Sequence, residues 1–324
     1  MLKDRFKEVI SKFMSKKILV IGDLMLDTYL IGRSDRISPE APVPIIQVNK
    51  VEHNLGGAAN VALNLSSLGC EVSLVGLIGD DPEGEVFRNL LDKSNIDFNS
   101  IVEGENRPTT VKSRIISHDQ QVIRTDREIT FDLSDESNQE LVSIVSSVIG
   151  NVDAIILEDY NKGVLNPFSI SKIINIAKEL NKPVYVDPKV KNFDLYKDVR
   201  LFKPNLSEFR TFFKQNTSLR KDGFDLKKNL NADILMVTRS AEGVSLFVDS
   251  DYHDIPTKAR NVHDVSGAGD TVIATFTLSD LSGATPKESV LLSNFAAGRV
   301  CEEVGVVPIS LAMLNEMIEH HNNL

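Results

Sequence analysis

Cysteine is scarce in this chain: Cys70 and Cys301 are the only two in 324 residues, and both stand among apolar neighbours. A disulfide-stapled scaffold is therefore excluded, and two buried free thiols in a reducing cytoplasm are expected. No Cys/His spacing suits zinc. The sequence also lacks any run of 18 apolar residues and any cleavable apolar leader, so neither membrane insertion nor secretion is expected. Basic residues are outnumbered, 36 Lys and Arg against 46 Asp and Glu, for a net charge of −10. That balance argues against nucleic acid, which needs a basic face. It also means that an anionic ligand must be held by local donors against an unfavourable global field. Repeats, low-complexity tracts and linkers are missing as well. No Gly-x-Gly-x-x-Gly follows the first strand, which argues against a dinucleotide-binding oxidoreductase.

What the chain does have is a regular alternation. Ile18–Ile21, Val72–Val75, Ala154–Leu157, Val184–Val186 and Ile234–Val237 are near-continuous apolar runs, as strands covered on both faces should be. Helical patterns separate them, for example after Ser137-x-x-Glu140, read as a capping box. At Thr285-Pro-Lys-Glu288 such a box coincides with a first-turn proline. This order predicts a single α/β domain over 1–324, a doubly wound, mainly parallel sheet flanked by helices. Residues 1–16 read as an amphipathic helix packed on the domain. Two segments, about 28–53 and 107–128, alternate polar and apolar residues as half-exposed antiparallel strands do, with a hairpin turn at Ser117–Gln120. They predict a small antiparallel β lid over the open rim of the sheet, where it would shield a reacting group from water.

Asp264-Val-Ser-Gly-Ala-Gly-Asp270-Thr271 carries the chemistry. Gly267, Ala268 and Gly269 form a turn whose amides can converge on an anion, and the helix that follows adds the positive end of its dipole. Asp270 stands beside that anion hole, where a base would take the proton of a hydroxyl attacking a phosphoryl group. A second glycine element, Gly56-Gly57-Ala-Ala-Asn60, opens another helix with Val61, Leu65 and Leu68 at helical spacing. Asp23, Asp80, Asp159, Asp187, Asn205 and Thr238 each follow a strand run. Together they mark the carboxyl rim, where open α/β sheets bind ligands.

Gly-Gly-x-x-Asn early and Gly-Ala-Gly-Asp late resemble the paired signatures of the ribokinase-like (PfkB) carbohydrate kinases, from about Lys17 to about Pro308. Gly22-Asp23-Leu-Met-Leu-Asp27-x-Tyr29, Arg36-Ile-Ser-Pro-Glu-Ala-Pro42, Lys203-Pro-Asn205-Leu-Ser-Glu208 and Val237-Thr-Arg-Ser240 look like that family's heptose 7-phosphate kinase branch. Glu158 and Asn161 depart from it, since the branch usually has a small residue and Ala there.

The resemblance implies an ATP-dependent kinase acting on the anomeric hydroxyl of D-glycero-D-manno-heptose 7-phosphate to give the 1,7-bisphosphate. It implies Asp270 as base with the amides of Gly267, Ala268 and Gly269 stabilising charge. Asn205, Leu206, Ser207 and Glu208 would order ATP and Mg²⁺, with Glu208 reaching the metal through water. Asn205 and Glu208 are equally spaced as an N-cap and its N3 partner. Thr238, Arg239 and Gly243 would border the nucleotide. Asn294 would face the adenine or ribose, with an exposed helix residue as the plain alternative. A monovalent cation at Asp264 is a further implication, against an ordinary loop carboxylate. For the sugar, Asp23, Asp27, Gly56, Gly57, Asn60 and Asp159 are the candidates. Lys189, Arg114 and Arg124 are those for its distant phosphate.

The lid implies a homodimer. Because the chain ends at Leu324 without the His-x-Gly-His motif of bifunctional relatives, release of a bisphosphate is expected. A kinase for another sugar or sugar phosphate, and a non-catalytic sugar-binding protein on this fold, are the alternatives.

Overall fold

The computed structural model describes residues 2–104, 107–118, 120–214, 218–257, 264–303 and 305–320. Met1 of the expected first helix, Asp119 of the expected hairpin turn and the last four residues lie outside them. The chain opens with α1 (Leu2–Ile10), β1 (Lys17–Gly22), the long β2 (Leu24–Ile37) and β3 (Pro44–Gly57), then α2 (Ala58–Ser67). Next come β4 (Glu71–Gly79), α3 (Pro82–Leu91), the short β5 (Ile96–Asp97) and β6 (Ile101–Gly104), and the hairpin β7 (Val111–Ser117) and β8 (Gln120–Arg127). α4 (Asp135–Val148), β9 (Ala154–Glu158), α5 (Pro167–Glu179), β10 (Val184–Asp187) and β11 (Leu201–Phe202) follow. α6 (Leu206–Phe212), α7 (Leu219–Leu230), β12 (Ile234–Thr238), β13 (Val244–Val248) and β14 (Asp251–Ile255) lead to α8 (Ala268–Leu281), α9 (Pro286–Val300) and α10 (Leu311–His320).

The main sheet has the order β14-β13-β12-β11-β10-β9-β1-β4-β5, with β6 also pairing β4. It is parallel from β5 to β12, and β13 and β14 add an antiparallel edge. All five apolar runs read from the sequence are strands of this sheet. Central β1 alternates between two cores: Ile18 and Val20 face one, Leu19 and Ile21 the other. Both faces are thus covered, as its uninterrupted apolar sequence requires. α1 buries Phe6, Val9 and Ile10 and sets the Phe6 ring edge-on to Phe295 at 6.3 Å. Each such fully buried side chain contributes roughly 1.5–3 kcal/mol. The first helix ends at Ile10, and a 3₁₀ turn, Phe13–Ser15, completes the stretch expected to be one helix.

The lid is a four-stranded sheet, β3-β2-β7-β8. Its hairpins β2/β3 and β7/β8 are antiparallel, and they join through a parallel β2/β7 pairing. The capping box at Thr285 and Glu288 forms as read. Helix α4 starts a turn earlier than Ser137 suggests: its N-cap is Ser134, whose hydroxyl accepts from the Ser137 amide. Pattern alone could not choose between two serines three residues apart.

Candidate active site

Asp270 is the third residue of α8. Gly267 caps that helix in the left-handed region, at φ 77°, where a Cβ would meet Asn60 Nδ2 at 2.9 Å. Only glycine permits so close an approach in that conformation. The approach lets the start of α2 touch the start of α8: Asn60 Nδ2 donates to Asp270 Oδ2 at 2.6 Å. From the other side the Tyr160 hydroxyl donates to Oδ1 at 2.9 Å. Burial pushes the Asp270 carboxyl up to about 6, against the pull of the two donors.

The expected anion hole is smaller than the sequence implied. The Ala268 amide donates to the Val265 carbonyl at 3.2 Å, so Gly267 and Gly269 supply the open amides of the turn among the described residues. Position 269 opens on a buried ion pair, Lys203 Nζ to Asp187 Oδ2 at 2.6 Å.

The carboxylates of Glu158, Asp187 and Asp270 lie within 4.8 Å of one another. Glu158 is 1% exposed, and its Oε2 has no hydrogen-bond partner among the described residues. Burial first, then Asp187 and Asp270, raise its carboxyl well above the usual range. Lys203, paired to Asp187, balances the charge of that carboxylate.

Asn205 and Glu208 form a complete capping box on α6. Glu208 Oε2 accepts the Asn205 amide at 2.9 Å and Oε1 accepts Lys189 Nζ at 2.6 Å. Glu208 keeps free lone pairs on both oxygens, a hard set suited to a magnesium ion that retains its water. Leu206, Ser207, Arg210, Arg239 and Glu242 line an open cleft of about 820 Å³ beside this corner. Thr238 bridges Asn205, and Gly243 turns the chain at φ 90° between β12 and β13. Asn294 is buried, and its Nδ2 reaches the Pro256 carbonyl at 3.3 Å, so the exposed-helix alternative is corrected. Asp264 holds the Ser266 amide of its own loop at 2.9 Å.

On the other side of Asp270, two expected sugar ligands are turned inward. Asp23 accepts three backbone amides, those of Tyr160 at 2.8 Å, Lys162 at 3.0 Å and Val164 at 3.2 Å. It fixes the segment that carries Tyr160 instead of presenting a free carboxylate. Burial, then the charge of Asp159, pushes it up to about 6. Asp159 is consumed by the Tyr196 hydroxyl at 2.7 Å, Asn192 at 3.1 Å and the Asn161 amide at 2.7 Å. Strand-end position marks both correctly as rim residues; it cannot tell a carboxylate facing the ligand from one facing the loop. Asp27 is buried between the lid strands. It pairs with Arg114 at 2.5 Å, and Gly56 lies so close that a Cβ would meet Asp27 Oδ2 at 2.5 Å. Gly57, at φ 60°, passes Asp23 in the same way. Arg124 is exposed and grips Asp126 through two nitrogens at 2.9 and 3.0 Å.

Tyr160 and Lys203 received no role in the sequence reading. Both follow strands by one or two residues, the same signal that marked Asp23, so extending that rule beyond Asp and Asn would have found them.

A doubly wound sheet whose carboxyl rim holds a helix-capping glycine turn, a buried base and a separate β lid defines a sugar-kinase architecture. The chain belongs to the pfkB family carbohydrate kinases, whose model matches residues 15–311. It is therefore a carbohydrate kinase. It is 42% identical over 306 residues to the bifunctional protein HldE of Helicobacter pylori strain Shi470, which covers 93% of this chain and 65% of that protein. To the bifunctional protein HldE of Haemophilus influenzae strain PittEE it is 42% identical over 313 residues, 95% of this chain and 64% of that one. The chain thus spans just under two thirds of the length of these relatives. Among solved structures, the Arabidopsis thaliana ribokinase complexed with ribose and ATP superposes with a TM-score of 0.73 at 18% identity, over 94% of this chain and 99% of that one. The Escherichia coli phosphofructokinase-2 complex with fructose-6-phosphate gives 0.76 at 16% identity, over 94% and 98%.

Proposed function

We propose that this chain transfers the γ-phosphoryl group of ATP to the anomeric hydroxyl of D-glycero-D-manno-heptose 7-phosphate, releasing ADP and heptose 1,7-bisphosphate. The phosphoryl-transfer half rests on one observation: a buried carboxylate, Asp270, pinned by Asn60 and Tyr160 at the positive end of α8. A base raised to about 6 is ionised at neutral pH yet basic enough to accept a proton in the transition state. Asp270 takes the hydroxyl proton as the anomeric oxygen bonds to phosphorus. The bond from phosphorus to the bridging oxygen breaks, and its electron pair leaves with ADP.

The amides of Gly267 and Gly269 meet the charge spread over the transferring group. Lys189, tied to Glu208 and 5.0 Å from the Tyr160 ring, stands between the base and the metal corner, a place suited to the same group. Glu208 would hold a nucleotide-bound Mg²⁺ through water, and the metal would neutralise phosphate charge there. Asn205, Leu206, Ser207, Thr238, Arg239 and Gly243 border the nucleotide. Asp27 orients the sugar, and the lid keeps water from competing as acceptor.

The heptose is supported by the block Arg36–Pro42 and by the 42% identity to the bifunctional proteins. An assay of ATP consumption against heptose 7-phosphates, sedoheptulose 7-phosphate and fructose phosphates tests it. The heptose 7-phosphate should have the highest kcat/KM; a preference for any other acceptor refutes the assignment.

A further inference from the structure

The three cations that sequence offers for the distal phosphate are each engaged with a carboxylate: Arg114 with Asp27, Arg124 with Asp126 and Lys189 with Glu208. Lys112 is different. It lies on β7 between Asp27 of β2 and Asp126 of β8 in register, but those two acids are already paired to Arg114 and Arg124. Among the described residues Lys112 makes no ion pair, and its ammonium rests 5.1 Å from the centroid of the Tyr160 ring. The hydroxyl of that ring holds Asp270. Lys162, on the segment clamped by Asp23, carries a second ammonium close enough to act on Lys112, and its own partner is Glu128 at 2.6 Å.

A half-buried ammonium set near another cation is electrostatically unfavourable until an anion arrives. Burial is the first cause holding Lys112 below its usual range, and Lys162 adds to it. The acids facing it, Asp27, Asp126 and Glu128, pull the other way without reversing it. In a chain of net charge −10 this places an ammonium with no ion pair among the described residues one aromatic ring away from the base.

We propose that Lys112, with Lys162 beside it, is the subsite for the phosphomonoester carried by the sugar. This rests on the sugar-phosphate reading above. It gives the lid a role in recognition: β7 brings the cation that reads the far end of the acceptor, while Asp270 acts on the near end. Lys189 is released from the distal phosphate to the transferring group.

The test compares wild type with Lys112→Met and Lys112→Arg on heptose 7-phosphate and on the unphosphorylated heptose. A parallel measurement titrates inorganic phosphate against the thermal midpoint in the presence of ADP and Mg²⁺. Loss of one charge-assisted contact should raise KM for heptose 7-phosphate by about 10- to 100-fold in Lys112→Met, leaving KM for ATP and turnover of the free sugar near wild type. Lys112→Arg should recover most of the loss, and phosphate should stabilise wild type more than Lys112→Met. If wild type prefers the phosphorylated sugar and Lys112→Met keeps that preference, the subsite is wrong and the kinase reading stands. If wild type turns over neither heptose, the heptose reading fails, and the phosphate titration decides the subsite by itself: equal stabilisation of both proteins overturns it.

Discussion

Asp270 is a residue whose environment and task pull on the same number. As a base it must be ionised, so kcat/KM should fall as pH drops through about 6. Asp23 is raised to the same region, and its carboxylate is what holds the amides of the Tyr160 segment. Both must be ionised for the base to be present and oriented, so the acid limb should approach a slope of two in log kcat/KM against pH; a slope of one would detach Asp23 from catalysis. Tyr160→Phe removes a donor that lowers the Asp270 pKa, and the limb should move to higher pH.

Asp270→Asn should lower kcat by about 10²-fold or more with little change in nucleotide affinity. The same variant reports on stability. A folded pKa raised from 3.8 to about 6 favours the folded state below pH 4, and that advantage is lost as pH rises through about 6. Asp270→Asn should thus be more stable than wild type at pH 8, by on the order of 3 kcal/mol, and the gap should close toward pH 4 in thermal melts. That the glycine turn, Asp270 and the start of α2 belong to one rim was legible because spacing carries it; that Asn60, expected to hold the sugar, gives its amide to Asp270 was not. The inward turn of Asp23 and Asp159 was not, because it depends on which loop amides arrive from residues far along the chain.

At the scale of elements, the site depends on two helices meeting end to end. Gly267→Ala would place a methyl against Asn60 Nδ2 in a left-handed conformation, costing roughly 1–3 kcal/mol. Urea unfolding should register that loss. kcat should fall further than KM for ATP, since the displaced contact orients the base and not the nucleotide. Capping boxes at Thr285 and Asn205 were readable because each needs only its own four residues. The edge strand β14 escaped reading, since it is Asp-Tyr-His-Asp-Ile, half-exposed, and lacks the apolar run that marks a covered strand. The parallel join of the two lid hairpins was equally hidden: local alternation shows that a strand exists, not which neighbour it takes.

For the whole molecule, the lid presents Val48 and Val51 on β3 and Val122 and Ile123 on β8, each at least 42% exposed, on the two strands with an open edge. Our reading of the lid as the contact with a second copy makes Val51→Glu with Ile123→Glu a test. Light scattering coupled to gel filtration should show wild type at twice the monomer mass and the double variant at the monomer mass. No described helix is long and apolar enough to cross a membrane.

The contact between Asn60 and Asp270 joins positions 210 residues apart, and Asn64, one turn further on, ties Thr271 and the Ile309 amide to the same helix. Most of the sheet and its helices can form from nearer neighbours, whereas this junction must wait for both ends of the chain. Long-range closures of this kind are late and slow. On dilution from denaturant, circular dichroism should therefore recover ahead of turnover. The interval between them would measure how long the molecule exists as a well-formed scaffold without a working base.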